Sequence, residues 1–355
     1  MLFSTLLPLL FASPILAALP HKGVDWSSLL IEEKAGKQYK TTSGQVQPLE
    51  TILKNSGVNT VRQRIWVNPS NGDYNLDYNI KLAQRAKAAG LKVYLDFHYS
   101  DNWADPGKQV VPNAWKSLNR DQLIKQIYDY TKSVMDTFQK NGLPLSIVSI
   151  GNEITPGLLF PIGQLSNSDG PKNVAALLKS ASKAIKESTI SPKPKIMIHL
   201  DNGWKWDTQQ WWYDTVLGSG GGLSASDYDI QGVSYYPFYN SGATLAALGT
   251  TLQNMANKYG KEVQVVETNW PTYCPNPSNA FPSDTKNIPL SVEGQVTWMK
   301  EVAKRVTNVG SRGTGLFYWE PAWIDNAGLG SSCGWNLMVA DDGKDMGSLS
   351  VFNQI

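Results

Sequence analysis

The stretch Ile147-Val-Ser-Ile-Gly-Asn-Glu153 constrains this chain more than any other, because a β-branched apolar run ends abruptly on an amide and an ionisable group. A short continuous apolar run fits a parallel-sheet strand covered on both faces, and the carboxyl ends of such strands are where α/β barrels carry their chemistry. Val263-Gln-Val-Val-Glu267 repeats the pattern. Either glutamate alone reads equally well as a surface ion-pair partner. Two carboxylates on two strand ends suggest glycoside hydrolysis, with one as proton donor and the other as nucleophile or base.

The rest of the chain supplies the other elements of such a fold. Strands are expected at 22–27, 58–66, 91–98, 195–200, 228–236 and 313–319, and helices at 47–56, 76–89, 121–139, 173–187, 244–259 and 291–308. In the second strand, period-two alternation puts Arg62 and Arg64 on one face, where both need carboxylate partners. In the third, Tyr94, Asp96 and His98 oppose Val93, Leu95 and Phe97, so the polar side points inward. Trp103 and Trp115 lie in the long loop that follows, and Trp204, Trp206, Trp211 and Trp212 crowd the loop after 195–200, which reads as sugar-binding surface. Eight strands alternating with helices predict an α/β fold, one (β/α)8 barrel over 18–355, rather than a doubly wound sheet or two domains.

Composition closes off other classes. A formal charge of +2 over 355 residues suits neither nucleic acid nor an acidic membrane surface. Residues 1–17 read as a secretory signal peptide, and no other apolar stretch approaches the roughly 18 residues of a membrane span, so the protein is expected outside the cell. Cys274 and Cys333 are the two cysteines, read as one disulfide. Asn68-Pro-Ser and Asn276-Pro-Ser are proline-blocked, so N-glycosylation is not expected. His21, His98 and His199 are too scattered for a metal-ligand pair, and neither metal nor cofactor is expected. His98 is either a structural histidine or a site residue. If it is in the site, it joins Arg62 in holding Glu267 ionised, while repulsion from that anion keeps Glu153 protonated, and Asn152 donates to a sugar 2-hydroxyl.

Gly23-Val-Asp-Trp-Ser27, Val61-Arg-Gln-Arg-Ile-Trp-Val67, Tyr94-Leu-Asp-Phe-His-Tyr-Ser-Asp-Asn-Trp-Ala-Asp-Pro106, Gly151-Asn-Glu-Ile154, Val266-Glu-Thr-Asn-Trp-Pro271 and Phe317-Tyr-Trp-Glu-Pro321 together resemble glycoside hydrolase family 53, the fungal arabinogalactan endo-β-1,4-galactanases. The resemblance implies a retaining enzyme acting as a monomer on the β-1,4-galactan side chains of pectin, with Glu153 as acid/base and Glu267 as nucleophile. It places Arg62, His98, Asn152, Tyr236 and Trp319 at the cleavage subsite, and Trp66, Trp103 and Asp201 at substrate-binding positions. It implies a disulfide joining the last two long loops, where bacterial members bind calcium, and a cis peptide between Trp319 and Glu320. Glucanase, mannanase or xylanase activity, or a barrel that only binds carbohydrate, stay open as alternatives because fold does not choose the sugar.

Overall fold

The computed structural model describes residues 18–355, so the expected 1–17 leader lies outside them. Eight strands, β1 (His21–Asp25), β2 (Thr60–Ile65), β3 (Lys92–Phe97), β4 (Ile147–Ser149), β5 (Lys195–Leu200), β6 (Ile230–Ser234), β7 (Glu262–Glu267) and β8 (Gly313–Tyr318), follow one another around a closed parallel barrel. Alternation along each strand sends one set of side chains inward and the other toward the helices. Tyr94, Ile147, Met197, Ile230, Val266 and Phe317 fill the barrel as one buried cluster, while Val93, Leu95 and Phe97 belong to the larger core outside it. Gly23 is required by this filling, since a Cβ there would stand 2.2 Å from the Phe317 ring.

Helices α1 (Leu29–Lys34), α2 (Leu49–Asn55), α3 (Leu76–Ala88), α4 (Arg120–Lys140), α5 (Gly170–Glu187), α6 (Trp206–Val216), α7 (Leu245–Tyr259) and α8 (Val292–Thr307) return the chain between strands. Asn119 and Gln122 form a reciprocal capping box that starts α4, satisfying backbone donors the helix itself cannot.

Helix α6 corrects the reading of its tryptophans as a sugar-binding loop. Gln209, Trp212, Tyr213 and Val216 are buried at helical spacing, and Trp212 donates its indole N–H to the Ile154 carbonyl at 3.0 Å. Trp206 packs against the core, Trp211 is exposed on the helix, and of the four only Trp204 lines the cavity above the barrel.

Strand ends on that face turn through left-handed residues: Tyr99 (φ 49°) after β3, Glu153 (φ 47°) after β4, Asn202 (φ 51°) after β5 and Glu320 (φ 44°) after β8. Such conformations cost a non-glycine residue energy and gather where side chains are aimed at a site. The Trp319–Glu320 peptide was expected to be cis, but the cis bonds among the described residues are Phe160–Pro161 and Ser191–Pro192. Here the left-handed Glu320 makes the turn. Its carboxylate accepts from Ser28 N (3.0 Å), Ser28 Oγ (2.6 Å) and Arg64 Nη1 (2.7 Å), which fixes the bend after β8.

Cys274 and Cys333 are bonded across a sequence separation of 59, tying the loop after β7 to the loop after β8. In the chain-entropy account a loop of this order is stabilised by about 4 kcal/mol. Thiol titration of the unfolded, unreduced protein is expected to find no free thiol, and Cys274→Ser to lower the unfolding midpoint. Two free thiols would remove the crosslink.

Candidate active site

Arg62, at the centre of β2, is the hub of the site. Its side chain is 1% exposed, yet Nη1 donates to Asp25 Oδ2 at 2.8 Å and Nη2 faces Asp96 Oδ2 at 2.7 Å, Asn152 Oδ1 at 2.8 Å and Glu267 Oε1 at 2.8 Å. A buried cation needs such partners, because desolvation would otherwise outweigh its attraction to any single carboxylate. Alternation along β2 gives Arg64 the same inward face, where it pairs with Glu320 and stacks between the Tyr74 and Trp103 rings, 4.2 and 4.3 Å from their centroids.

Above this layer a cavity of about 380 Å³ opens at the carboxyl ends of the strands. Glu153 and Glu267 both line it, together with Arg62, His98, Asn152 and Asp201. Trp103 and Trp319 form one wall in edge-to-face contact, and Tyr236, Tyr239 and Trp204 stand in the lining as well. Of the residues that the family resemblance places at the substrate, Trp66 alone is absent from the lining. It sits behind Trp103, edge-on at 5.6 Å, and donates its indole N–H to His98 Nδ1 at 3.2 Å.

The two glutamates have unlike surroundings. Glu267 is ion-paired through Oε1 with Arg62 Nη2 at 2.8 Å and accepts from the Tyr236 hydroxyl through Oε2 at 2.7 Å. Glu153 has no ion-pair partner among the described residues. Burial pushes Glu153 well above the usual carboxylate range, and repulsion from Glu267 and Asp201 adds to the rise. Burial raises Glu267 too, but Arg62 and the Tyr236 hydroxyl act against it. A proton shared between them therefore rests on Glu153.

His98 does not take the role expected of it beside Glu267. Its Nδ1 accepts from Trp66 Nε1 and from the Ala104 amide at 3.1 Å, so the ring proton is on Nε2, 3.2 Å from Asp96. Burial lowers the pKa of His98, leaving a neutral ring that orients Asp96 rather than a cation that holds Glu267. Asn152 is fixed by Arg62 at Oδ1, and its amide donates to the Ala104 carbonyl at 2.7 Å. That leaves one amide hydrogen for a ligand.

This geometry, two carboxyls over a cation-braced barrel floor with tryptophan at the wall, is that of a glycosidase. The family model of glycosyl hydrolase family 53 matches residues 21–352. The chain belongs to that family. The arabinogalactan endo-beta-1,4-galactanase of Thermothelomyces thermophilus is 59% identical, over 95% of this chain and 100% of that one. A solved structure of a fungal beta-1,4-galactanase matches with a TM-score of 0.93 at 59% identity, covering 95% of this chain and 100% of the other. The family 53 catalytic domain of Ignisphaera aggregans matches at 0.83 and 30% identity, over 96% and 97% of the two chains.

Several residues of this family 53 site escape a reading of the sequence. Asp25, Asp96 and Glu320 are the carboxylates that Arg62 and Arg64 require, and the inward face of β3 already pointed to Asp96. Ser234 and Tyr239 line the cavity as well. The aromatic run Tyr235-Tyr236-Pro-Phe-Tyr239 at a strand end was the available signal for Tyr239.

Proposed function

We propose that the protein is an extracellular endo-glycosidase that hydrolyses β-1,4-galactosidic linkages in galactan, including the galactan side chains of pectin, by double displacement with retention. The single observation that carries the mechanism is the unequal bracing of the two carboxyls, since Glu267 is ion-paired with Arg62 and hydrogen-bonded by Tyr236 while no cation among the described residues pairs with Glu153. The galactan assignment draws support from the relatives named above. No helix among the described residues is long and apolar enough to cross a membrane.

In the first step Glu267, kept ionised by Arg62, attacks the anomeric carbon while Glu153 gives its proton to the departing glycosidic oxygen. The bond from the anomeric carbon to that oxygen breaks as the bond to Glu267 forms. Glu153, now a carboxylate, takes a proton from water, and the hydroxide so generated displaces Glu267 with a second inversion. The free Asn152 amide hydrogen meets the sugar 2-hydroxyl, a bond that strengthens in the transition state. Trp319 and Trp103 offer ring faces to the apolar faces of galactose.

The test is to incubate the secreted protein with linear galactan, mannan, xylan and soluble cellulose, and to follow the products by NMR. Galactan alone should give oligosaccharides, with the β-anomer appearing first. Preferential cleavage of another glycan would replace the substrate, an α-anomer first would replace the mechanism, and binding without products would leave a carbohydrate-binding barrel.

A further inference from the structure

Arg64 is as deeply buried as Arg62, with 1% of its side chain exposed, but carboxylates do not surround it in the same way. Nη1 donates to Glu320 at 2.7 Å and lies 3.6 Å from Asp25, while Nε and Nη2 are buried with no hydrogen-bond partner among the described residues. Three rings pack against the guanidinium instead. Its carbon is 4.2 Å from the Tyr74 centroid, 4.3 Å from that of Trp103 and 5.1 Å from that of Trp323. Unmet donors on a buried cation are costly, and the negative face of an aromatic ring is a group that offsets them.

The rings come from three different loops. Tyr74 belongs to the segment after β2, where it holds a left-handed backbone (φ 62°), Trp103 to the long loop after β3, and Trp323 to the chain beyond β8. Trp103 is stacked on Trp323 at 6.0 Å and meets Trp319 edge to face at 6.1 Å, and of these Trp103 and Trp319 line the cavity. Arg64 reaches both wall residues by separate routes. It lies against the Trp103 ring directly, and through the ion pair at Nη1 it holds Glu320, the residue that follows Trp319 in the chain. Two loops are thereby referred to one strand of the barrel.

We infer that Arg64 is a positioning residue for the sugar-binding wall: its planar guanidinium, held by Glu320, fixes the Trp103 ring and the angle that ring makes with Trp319. The inference rests on Trp103 and Trp319 being sugar contacts, as proposed above. Arg64 itself is too deeply buried to bind a sugar, and its ion-pair partners are Glu320 and Asp25, neither of them one of the two reacting carboxyls. Its loss should therefore be felt in substrate binding before it is felt in the chemistry. A lysine in its place keeps a charge for Glu320 but has no plane to lay against an indole.

Arg64→Lys should raise KM on linear galactan about tenfold, the order of a desolvated cation–π contact, with a much smaller change in kcat. Trp103→Leu should raise KM by at least as much. The two effects should not add: in a Trp103→Leu background, Arg64→Lys should change KM by no more than about twofold, because the ring through which Arg64 acts is gone. An unchanged KM in Arg64→Lys, a fall in kcat without a rise in KM, or effects that add in the double variant would each overturn the inference. If Trp103→Leu leaves KM unchanged, the reading of Trp103 as a sugar contact falls first, and the inference with it. Should Arg64→Lys not fold, Arg64→Met combined with Glu320→Gln, which removes both charges of the ion pair together, takes its place in the same cycle and is read by the same outcomes.

Discussion

Glu267→Ala is expected to lose turnover of every substrate by at least about 10⁴-fold, because no covalent intermediate can form without the nucleophile. Glu153→Ala should fail differently. It should still attack a substrate whose leaving group needs no proton, such as a nitrophenyl galactobioside, and then stall for lack of a base. Azide needs no base, so adding it should accelerate Glu153→Ala and yield a β-galactosyl azide. In Glu267→Ala, azide entering the vacated face inverts the centre once and should yield the α-anomer. The anomer found by NMR separates the roles, which position alone cannot do because both glutamates stand at or just beyond the carboxyl ends of barrel strands. The two anomers found the other way round would exchange the assignments, and rescue of neither variant would remove them.

The barrel was legible because its signals are local. β-branched runs and the inward and outward alternation in β3 each involve neighbours in sequence, and the observed strands differ from expectation by a residue or two at most ends. Helix α6 was missed although Gln209, Trp212, Tyr213 and Val216 carry helical spacing, because four tryptophans close together drew the reading toward sugar contact. Helix α1 is six residues long, too short for periodicity to register. The site divides along the same line. Glu153 and Glu267 announce themselves at the ends of their own strands, whereas the partners of Arg62 and Arg64 come from β1, β3, β7 and the turn after β8, and no spacing encodes them. Trp66 shows the converse limit: the family resemblance placed it at the substrate, but the chain leaving β2 turns it behind Trp103.

Arg62→Met is expected to cost about 3–5 kcal/mol of stability, the range for removing one member of a buried charge cluster, and to lower kcat by about a hundred- to thousandfold. The reason is arithmetic of charge. Asp25, Asp96 and Glu267 all touch this one guanidinium, and without it three buried carboxylates face one another across the barrel. Burial alone would raise Asp96, but Arg62, helped by His98, holds it well below the usual carboxylate range. A depressed folded-state pKa contributes stability that is fully present above the unfolded value, near 4, and is lost as pH falls through the folded one. The wild type should therefore keep this contribution at neutral pH and lose it only in strong acid, whereas Arg62→Met should lack it at every pH. For Glu267 the same substitution removes the main opposition to burial, so the acid limb of kcat/KM should shift to higher pH as the nucleophile holds its proton longer. Arg62→Lys should fall between the two, because a single ammonium restores charge but not a planar fork that reaches Asp25 on one side and Asp96 and Glu267 on the other. Urea unfolding at pH 7 and pH 4, read beside the pH profile, separates the contributions. If Arg62→Met unfolds at the wild-type midpoint, the carboxylates are being neutralised by protonation instead of by Arg62, and the ionised state assigned to Glu267 fails with it.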